Sequence, residues 1–281
     1  MSGSAVDTMG VTPCGNVELI WGQRTYVMGI VNVDPDSFSG DGLSDADTAV
    51  AQAQRFVAEG ADIIDVGGES TRPGCSPISV REELRRVIPV IEGLSRELPV
   101  PVSIDTYKAE VAREALAAGA RMINDVWGLK HDQGLARAAA DEGVPLVICQ
   151  NQRDASFRHF FPELVDSLKR SMQLALEAGV DWNNIIVDPG IGFGKTGEQN
   201  LEIVRRLAEL KSLGRPILLG SSRKSFIGFV LDLPVEQRLE GTAASLAIGI
   251  ANGADIVRVH DVAHMFRVVR MSDAIVRGTP S

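Results

Sequence analysis

Aromatic side chains are scarce in this sequence, at 5% of 281 residues, so its core cannot rest on stacked rings and must be built from aliphatic packing. Cysteine is nearly absent. Cys14, Cys75 and Cys149 are the only three, they lie far apart, and no Cys-x-x-Cys occurs. A disulfide framework and a thiolate zinc site are both excluded on that pattern. Long apolar runs are missing too: the longest small-and-apolar stretch, Ala243 to Ala254, is too short to span a bilayer and contains Gly and Asn. Positive charge is in deficit, with 28 Lys and Arg against 37 Asp and Glu, for a net charge of −9. That balance argues against a nucleic-acid backbone or an anionic membrane as partner, while leaving room for a small anion held by a local cationic cluster. Residues 1–24 have no basic start followed by an apolar run, so no secretory signal is expected and a reduced cytoplasm is the expected location.

What the chain does have is a repeated joint. A helical segment ends in Gly, a short apolar run follows, and a polar residue closes it. The joint reads Glu-Gly-Ala-Asp-Ile-Ile-Asp at 59–65, Ala-Gly-Ala-Arg-Met-Ile-Asn at 118–124, Glu-Gly-Val-Pro-Leu-Val-Ile at 142–148 and Asn-Gly-Ala-Asp-Ile-Val-Arg at 252–258, with a looser copy from Gly179 to Asp188. Gly caps a helix in the left-handed conformation, and the continuous apolar run suits a strand covered on both faces. Eight such strands are predicted at 26–32, 62–66, 100–104, 121–124, 145–149, 184–188, 216–220 and 255–259, and helical periodicity occupies 45–59, 81–97, 108–118, 162–178, 198–212 and 264–277. Eight strand–helix units in a chain of this size predict an α/β fold of the (β/α)₈ TIM barrel type, in a single domain. A doubly wound open sheet is the alternative for the same pattern. Gly15 to Met28, split by Trp21-Gly22-Gln23, predicts a short N-terminal β-hairpin that closes the barrel bottom, which divides the chain into a tail and hairpin start at 1–24 and the barrel at 25–281.

Barrel enzymes carry their chemistry at the carboxyl ends of the strands. Those ends here hold Asn32, Asp65, Asp105, Asn124 with Asp125, Gln150 with Asn151, Asp188, Ser221 to Lys224, and Arg258 with His260. Taken singly, each is equally well read as a cap or turn former. Taken together they converge on one pocket. Two carboxylates (Asp105, Asp188) and the Asn124 amide suit the N–H-rich edge of an amino-pyrimidinone. Arg223, Lys224, Arg258 and His260 suit a phosphate or pyrophosphate at the last two strands, where barrels often hold one. Gly190-Ile-Gly-Phe-Gly-Lys-Thr196 fails the Walker pattern because Pro189 stands where its first Gly belongs, and reads instead as a flexible loop carrying Phe193 over a flat ligand. His260 and His264 have zinc-like spacing but straddle a strand–helix joint, while His131 and His159 read as surface positions.

Seven ordered motifs identify a family. They are Met28-Gly-Ile-Val-Asn32-Val-Asp-Pro-Asp-Ser-Phe38-Ser, Asp65-Val-Gly-Gly-Glu-Ser-Thr71-Arg72-Pro73-Gly, Ser103-Ile-Asp105-Thr, Ile123-Asn124-Asp125, Asp188-Pro-Gly-Ile-Gly-Phe193-Gly-Lys195-Thr, Ser222-Arg223-Lys224-Ser and Arg258-Val-His260-Asp. Over roughly residues 26–275 the chain resembles the dihydropteroate synthases of the pterin-binding barrels. The resemblance implies condensation of 6-hydroxymethyl-7,8-dihydropterin pyrophosphate with 4-aminobenzoate by an SN1-like route, with release of pyrophosphate. It also implies Mg²⁺ touched by Asn32, and a homodimer formed through the late barrel helices. By position, Asp105, Asn124, Asp188 and Lys224 resemble the pterin-holding set, with Val126 and Gly220 beside it. Arg258 and His260 resemble the anion clamp, and Lys224, Arg258, His260 and Asp105 are the implied catalytic residues. Phe38, Thr71, Arg72, Pro73, Phe193 and Ser222 resemble the surroundings of aminobenzoate, where sulfonamides compete. The chain departs from the family pattern at Asp34, where Thr is usual, and at Cys149-Gln150, where Met-His is usual. Loops 33–44 and 69–79, rich in Gly, Pro, Ser and Asp, are expected to order only around ligands. Two other functions share these motifs in part: a methyltetrahydrofolate–corrinoid methyltransferase, which has no use for the pyrophosphate motifs, and a non-catalytic pterin-binding homologue.

Overall fold

The computed structural model describes residues 10–33, 46–70, 76–151 and 157–278. The chain opens with β1 (Val11–Cys14) and β2 (Val17–Ile20), an antiparallel hairpin. Parallel strands and helices then alternate: β3 (Tyr26–Asn32), α1 (Ala46–Ala58), β4 (Ile63–Gly67), α2 (Val80–Glu97), β5 (Val102–Asp105), α3 (Ala109–Ala117), β6 (Met122–Asp125), α4 (Gly134–Glu142), β7 (Leu146–Cys149) and α5 (Phe160–Glu177). They continue through β8 (Ile185–Asp188), α6 (Gly197–Arg206), β9 (Leu218–Leu219), α7 (Ser225–Leu231), α8 (Leu239–Ala251), β10 (Ile256–Val259) and α9 (Val262–Arg277). The sheet runs β8-β7-β6-β5-β4-β3-β10-β9, and a parallel bridge between Val187 and Ile217 joins its two ends into a barrel.

The eight expected barrel strands are all present, and the repeated joint explains them. Gly60, Gly119, Gly143, Gly179 and Gly253 all have positive φ, between 64° and 118°, and each turns a helix end toward the next strand. Two apolar layers result. Side chains such as Val27, Ile64, Ile104, Ile123, Ile148 and Val257 face outward under the helices. Met28, Ile63, Met122, Val147, Ile186, Leu218 and Ile256 face the barrel axis and pack against Cys14, Leu19 and Trp21 of the N-terminal segment. The hairpin therefore does cover the amino-terminal end of the barrel.

Its turn lies elsewhere than expected. The hairpin reverses at Gly15-Asn16, pairing Val11 with Ile20, whereas Trp21-Gly22-Gln23 is the turn that leads out of β2 toward β3. Gly15 has φ of +62°, and Trp21 is needed in the core, 1% exposed, with its Nε1 donating to Thr12 Oγ1 at 2.9 Å. The predicted helix 198–212 also divides. After α6 the chain tightens into a 3₁₀ segment, Leu207–Leu213. A period of three sets Leu207, Leu210 and Leu213 in one row, and all three are buried. β9 is shorter than its expected 216–220, because the chain turns at Ser221–Lys224, where Arg223 takes φ of +56°.

Candidate active site

Every strand presents its polar end to the same mouth, and the inward-facing positions meet there. The centre is a charged cluster. Arg258, on β10, donates from Nε to Asp65 Oδ2 and from Nη2 to Asp105 Oδ2, both at 2.6 Å. Asn124 Nδ2, on β6, donates to the same Asp65 oxygen at 3.0 Å. Asp65 is fully buried, so this cation and amide are what make its charge tolerable. Burial disfavours the charge on Arg258, but the two carboxylates outweigh it and hold the guanidinium firmly protonated. Burial likewise pushes the Asp105 carboxyl up, to about 7, against the pull of Arg258.

Three polar atoms in this cluster have no hydrogen-bond partner among the described residues: Asp65 Oδ1, Asp105 Oδ1 and Ser103 Oγ, all buried. Buried acceptors are normally satisfied, and such orphans are expected where a ligand donor completes the set. The second half of the pocket comes from β8, β9 and the loops that follow them. Asp188 Oδ1 accepts the Gly190 N–H at 2.7 Å, and Lys224 Nζ donates to the Ile191 carbonyl while lying 4.6 Å from the centre of the Phe193 ring. Burial pushes Asp188 up and Lys224 down, and each opposes the shift of the other. Gly220 is placed where a Cβ would come within 3.7 Å of Lys224 Nζ and 3.9 Å of Arg258 Cβ, so a larger residue would narrow the space between the two cations. Val126 lines the β6 side, and its carbonyl accepts from Asn151 Nδ2.

At the mouth beyond β9 and β10, His260 Nδ1 and Ser222 Oγ share a hydrogen bond at 3.0 Å, with the His260 backbone N–H donating to the same hydroxyl. Asn32 stands at the end of β3, its Oδ1 on one flank of Gly67 and Asp105 on the other. Arg223, counted by sequence among the anion ligands, is engaged with Asp261 through two hydrogen bonds and lies at the rim.

Several expectations are revised. The Gly190–Thr196 loop is not a loose flap. Lys195 Nζ donates to the carbonyls of Gln150, Gly190 and Phe193, the Gly192 N–H donates to Asn200 Oδ1, and Thr196 and Gln199 form a capping box at α6. Burial accordingly lowers Lys195, to about 7. Asp125 is not a ligand-facing partner of Asn124: its two oxygens accept the Trp127 and Leu129 N–H groups and shape the turn after β6. His264 is exposed on α9, and among the described residues no group of three or more His, Cys, Asp or Glu is arranged to hold a metal. His131 and His159 are exposed, as expected. Phe38, Thr71, Arg72, Pro73 and Asp34 lie outside the described residues, as do positions 34–44 and 71–75 of the loops 33–44 and 69–79. Asp65 is the residue sequence reasoning passed over. It was one strand-end carboxylate among several, and only its inward position on β4, two residues before Gly67, sets it apart.

The fold and this pocket define a barrel enzyme for a flat, N–H-rich heterocycle carrying an anionic group. Comparison with known proteins narrows that class. The family of pterin binding enzymes matches residues 28–260. A dihydropteroate synthase of Clostridium beijerinckii is 51% identical over 265 residues, covering 94% of this chain and 98% of that protein. Among solved structures, a dihydropteroate synthase from Clostridium difficile, crystallised in the presence of pteroic acid, superposes with a TM-score of 0.88 at 52% identity, covering 92% of this chain and 98% of that one. The Xanthomonas albilineans dihydropteroate synthase with 4-aminobenzoic acid gives 0.89 at 41% identity, covering 96% and 99%. The chain belongs to the pterin-binding enzymes, and within them to the dihydropteroate synthases.

Proposed function

We propose that this chain condenses 6-hydroxymethyl-7,8-dihydropterin pyrophosphate with 4-aminobenzoate to give 7,8-dihydropteroate and pyrophosphate. The observation that carries this reading is the buried, unpartnered Asp105 Oδ1 in a pocket that also presents Asn124, Asp188 and Lys224. Donors along the pterin edge would complete those acceptors, while Lys224 and the Phe193 ring flank the heterocycle and Val126 and Gly220 shape its walls. In the reaction, the bond between the methylene carbon and the pyrophosphate oxygen breaks and its electron pair leaves with pyrophosphate. The carboxylates of Asp105 and Asp188 favour the resulting cationic pterin, and Arg258 and His260 meet the departing charge. The aniline nitrogen then bonds to the methylene and loses a proton. That amine is nucleophilic without a strong base, so the step asks for no general base of its own. Thr71, Arg72, Pro73, Phe38, Phe193 and Ser222 are assigned to the aminobenzoate side.

The donor set suits Mg²⁺ held largely by substrate. Asn32 offers one hard oxygen, no cluster of protein carboxylates surrounds it among the described residues, and a magnesium ion on a pyrophosphate needs little more from the protein. When bound, the ion supplies charge neutralisation at the leaving group. Pyrophosphate release should require both substrates and Mg²⁺ and stop with chelator. Release that continues in chelator, or that ignores 4-aminobenzoate, would refute the reading.

The same reading includes a homodimer through the late helices. A groove of about 390 Å³ runs between α6, α7 and α8, lined by Leu201, Phe226, Ile227, Val230 and Ile248. Val230, Leu231 and Ile248 are exposed along it, and Phe229 is exposed on the same helix as the first two, an apolar density that suits a second copy of the chain. Light scattering at micromolar concentration is expected to give twice the chain mass; a single chain mass refutes the dimer.

A further inference from the structure

The residues directly after Asp105 form a clasp that the reaction scheme above leaves unused. Thr106 Oγ1 donates to Glu83 Oε1 at 2.7 Å, and the Tyr107 hydroxyl donates to Glu69 Oε1 at 2.6 Å. Lys108 Nζ donates to Glu69 Oε2, to Glu83 Oε2 and to the Ile78 carbonyl, at 2.6, 2.6 and 2.8 Å. Glu69 Oε2 in turn accepts the Ile78 N–H at 3.1 Å. The carboxylates are well removed from water, with side-chain exposures of 8% for Glu69 and 1% for Glu83, and Lys108 itself is 12% exposed. This is one ammonium shared by two buried carboxylates.

The placement of the partners gives the cluster its meaning. Glu69 and Ile78 are the two ends of the segment that leaves β4 and returns to α2. Ser79 caps α2 by accepting the Glu82 N–H, and Glu83 lies within its first turn. Arg86, one turn further, donates to the Gly68 carbonyl at 3.0 Å. Three consecutive residues following the Asp105 acceptor thus tie the chain leaving β4 to the chain entering α2: Tyr107 and Lys108 hold Glu69, Lys108 also holds Ile78, and Thr106 and Lys108 hold Glu83. A burial of this cost is hard to explain as surface stabilisation, since exposed pairs on α2 such as Arg85 with Glu82 already serve that purpose.

We propose that Lys108, with Tyr107, Glu69 and Glu83, fixes the end of β4 and the start of α2 relative to the Asp105 end of the pterin pocket, so that the side of the pocket assigned to 4-aminobenzoate is held in register with the pterin. The clasp touches neither substrate. It rests on the functional reading given above and deepens it, by assigning the fidelity of second-substrate placement to Lys108 and Tyr107.

Steady-state kinetics with each substrate varied in turn test this. Lys108→Met is expected to raise KM for 4-aminobenzoate by about tenfold, the scale of one or two charge-assisted hydrogen bonds, while KM for the pterin pyrophosphate changes by less than about twofold. Lys108→Arg is expected to restore part of the loss. Tyr107→Phe removes a single hydroxyl bond, keeps the ring packed, and is expected to move the same parameter about threefold; it reads the clasp even where Lys108→Met folds poorly. A wild-type protein whose pyrophosphate release is independent of 4-aminobenzoate overturns the functional reading. A normal wild type with Tyr107→Phe unmoved, or with both KM values raised alike in Tyr107→Phe or in a folded Lys108→Met, overturns the clasp alone.

Discussion

The two ends of the barrel are built from the same strands and solve opposite problems. At the amino-terminal end, inward positions are Met, Ile, Val and Leu, and the hairpin with Trp21 lies across them. The polar atoms that the hairpin buries there are matched: Trp21 Nε1 donates to Thr12 Oγ1, and the Thr12 hydroxyl donates to the Asn183 carbonyl, while Asp255 Oδ1, just before β10, is an unmatched buried oxygen at this end. At the carboxyl-terminal end, inward positions two residues further along are Asp65, Asp105, Asn124, Asp188 and Arg258, and acceptors remain unmatched. One end is a completed core and contributes stability; the other keeps buried charge that only ligands can satisfy. Stability and function are thus separated along the barrel axis.

A pair of substitutions, one at each end, should break the protein in different ways. Arg258→Met leaves Asp65 and Asp105 buried without their guanidinium, a loss on the order of 3–5 kcal/mol, and turnover should fall by at least about a hundredfold. Trp21→Ala removes a similar amount of stability, about 3–5 kcal/mol, through the cavity it leaves. Its effect on the folded enzyme should be slight, with both KM values within about twofold of wild type. Denaturant unfolding and steady-state kinetics on the two variants give the comparison. A Trp21→Ala protein with altered KM would show that the ends are coupled.

How much of this was legible in the sequence follows the same division. The repeated Gly joint disclosed the barrel strands, because a left-handed cap followed by a continuous apolar run is a local signal. The end of each run disclosed which polar residues gather at the mouth. Partnerships across the barrel were not legible. Arg258 meets Asp65 across 193 residues of chain, and nothing near either one marks the pair. Arg223 has the charge of an anion ligand, yet Asp261 takes it, since a positive φ at Arg223 turns the chain there. The hairpin was misregistered because Gly15-Asn16 and Trp21-Gly22-Gln23 are both good turn sequences; burial of the Trp21 ring decides between them, and burial is a tertiary fact. Short helices such as α4 and α7 offer too few turns for periodicity to show.

The smallest expected effect is also the sharpest test of the contrast, because it moves affinity and stability in opposite directions. Burial holds the Asp105 carboxyl up at about 7, above its ordinary value of 3.8. In the folded, ligand-free protein that group therefore keeps a proton which the unfolded chain has already lost between those two values. Its contribution to stability is fully present below the unfolded value and disappears as pH rises through about 7. Pterin binding has the reverse dependence, since the N–H donors of the ligand need an ionised acceptor. Affinity for a pterin analogue with constant charge between about pH 5 and pH 8 should hold steady above 7 and then weaken, approaching tenfold per pH unit below it. Asp105→Asn should bind weakly at high pH and lose the dependence altogether. Titration calorimetry across that range, with thermal unfolding of the free protein alongside, separates the two curves. Affinity that is flat with pH in the wild-type protein would mean that Asp105 is already ionised by Arg258 throughout, and that the carboxyl-terminal end is as fully satisfied as the closed one.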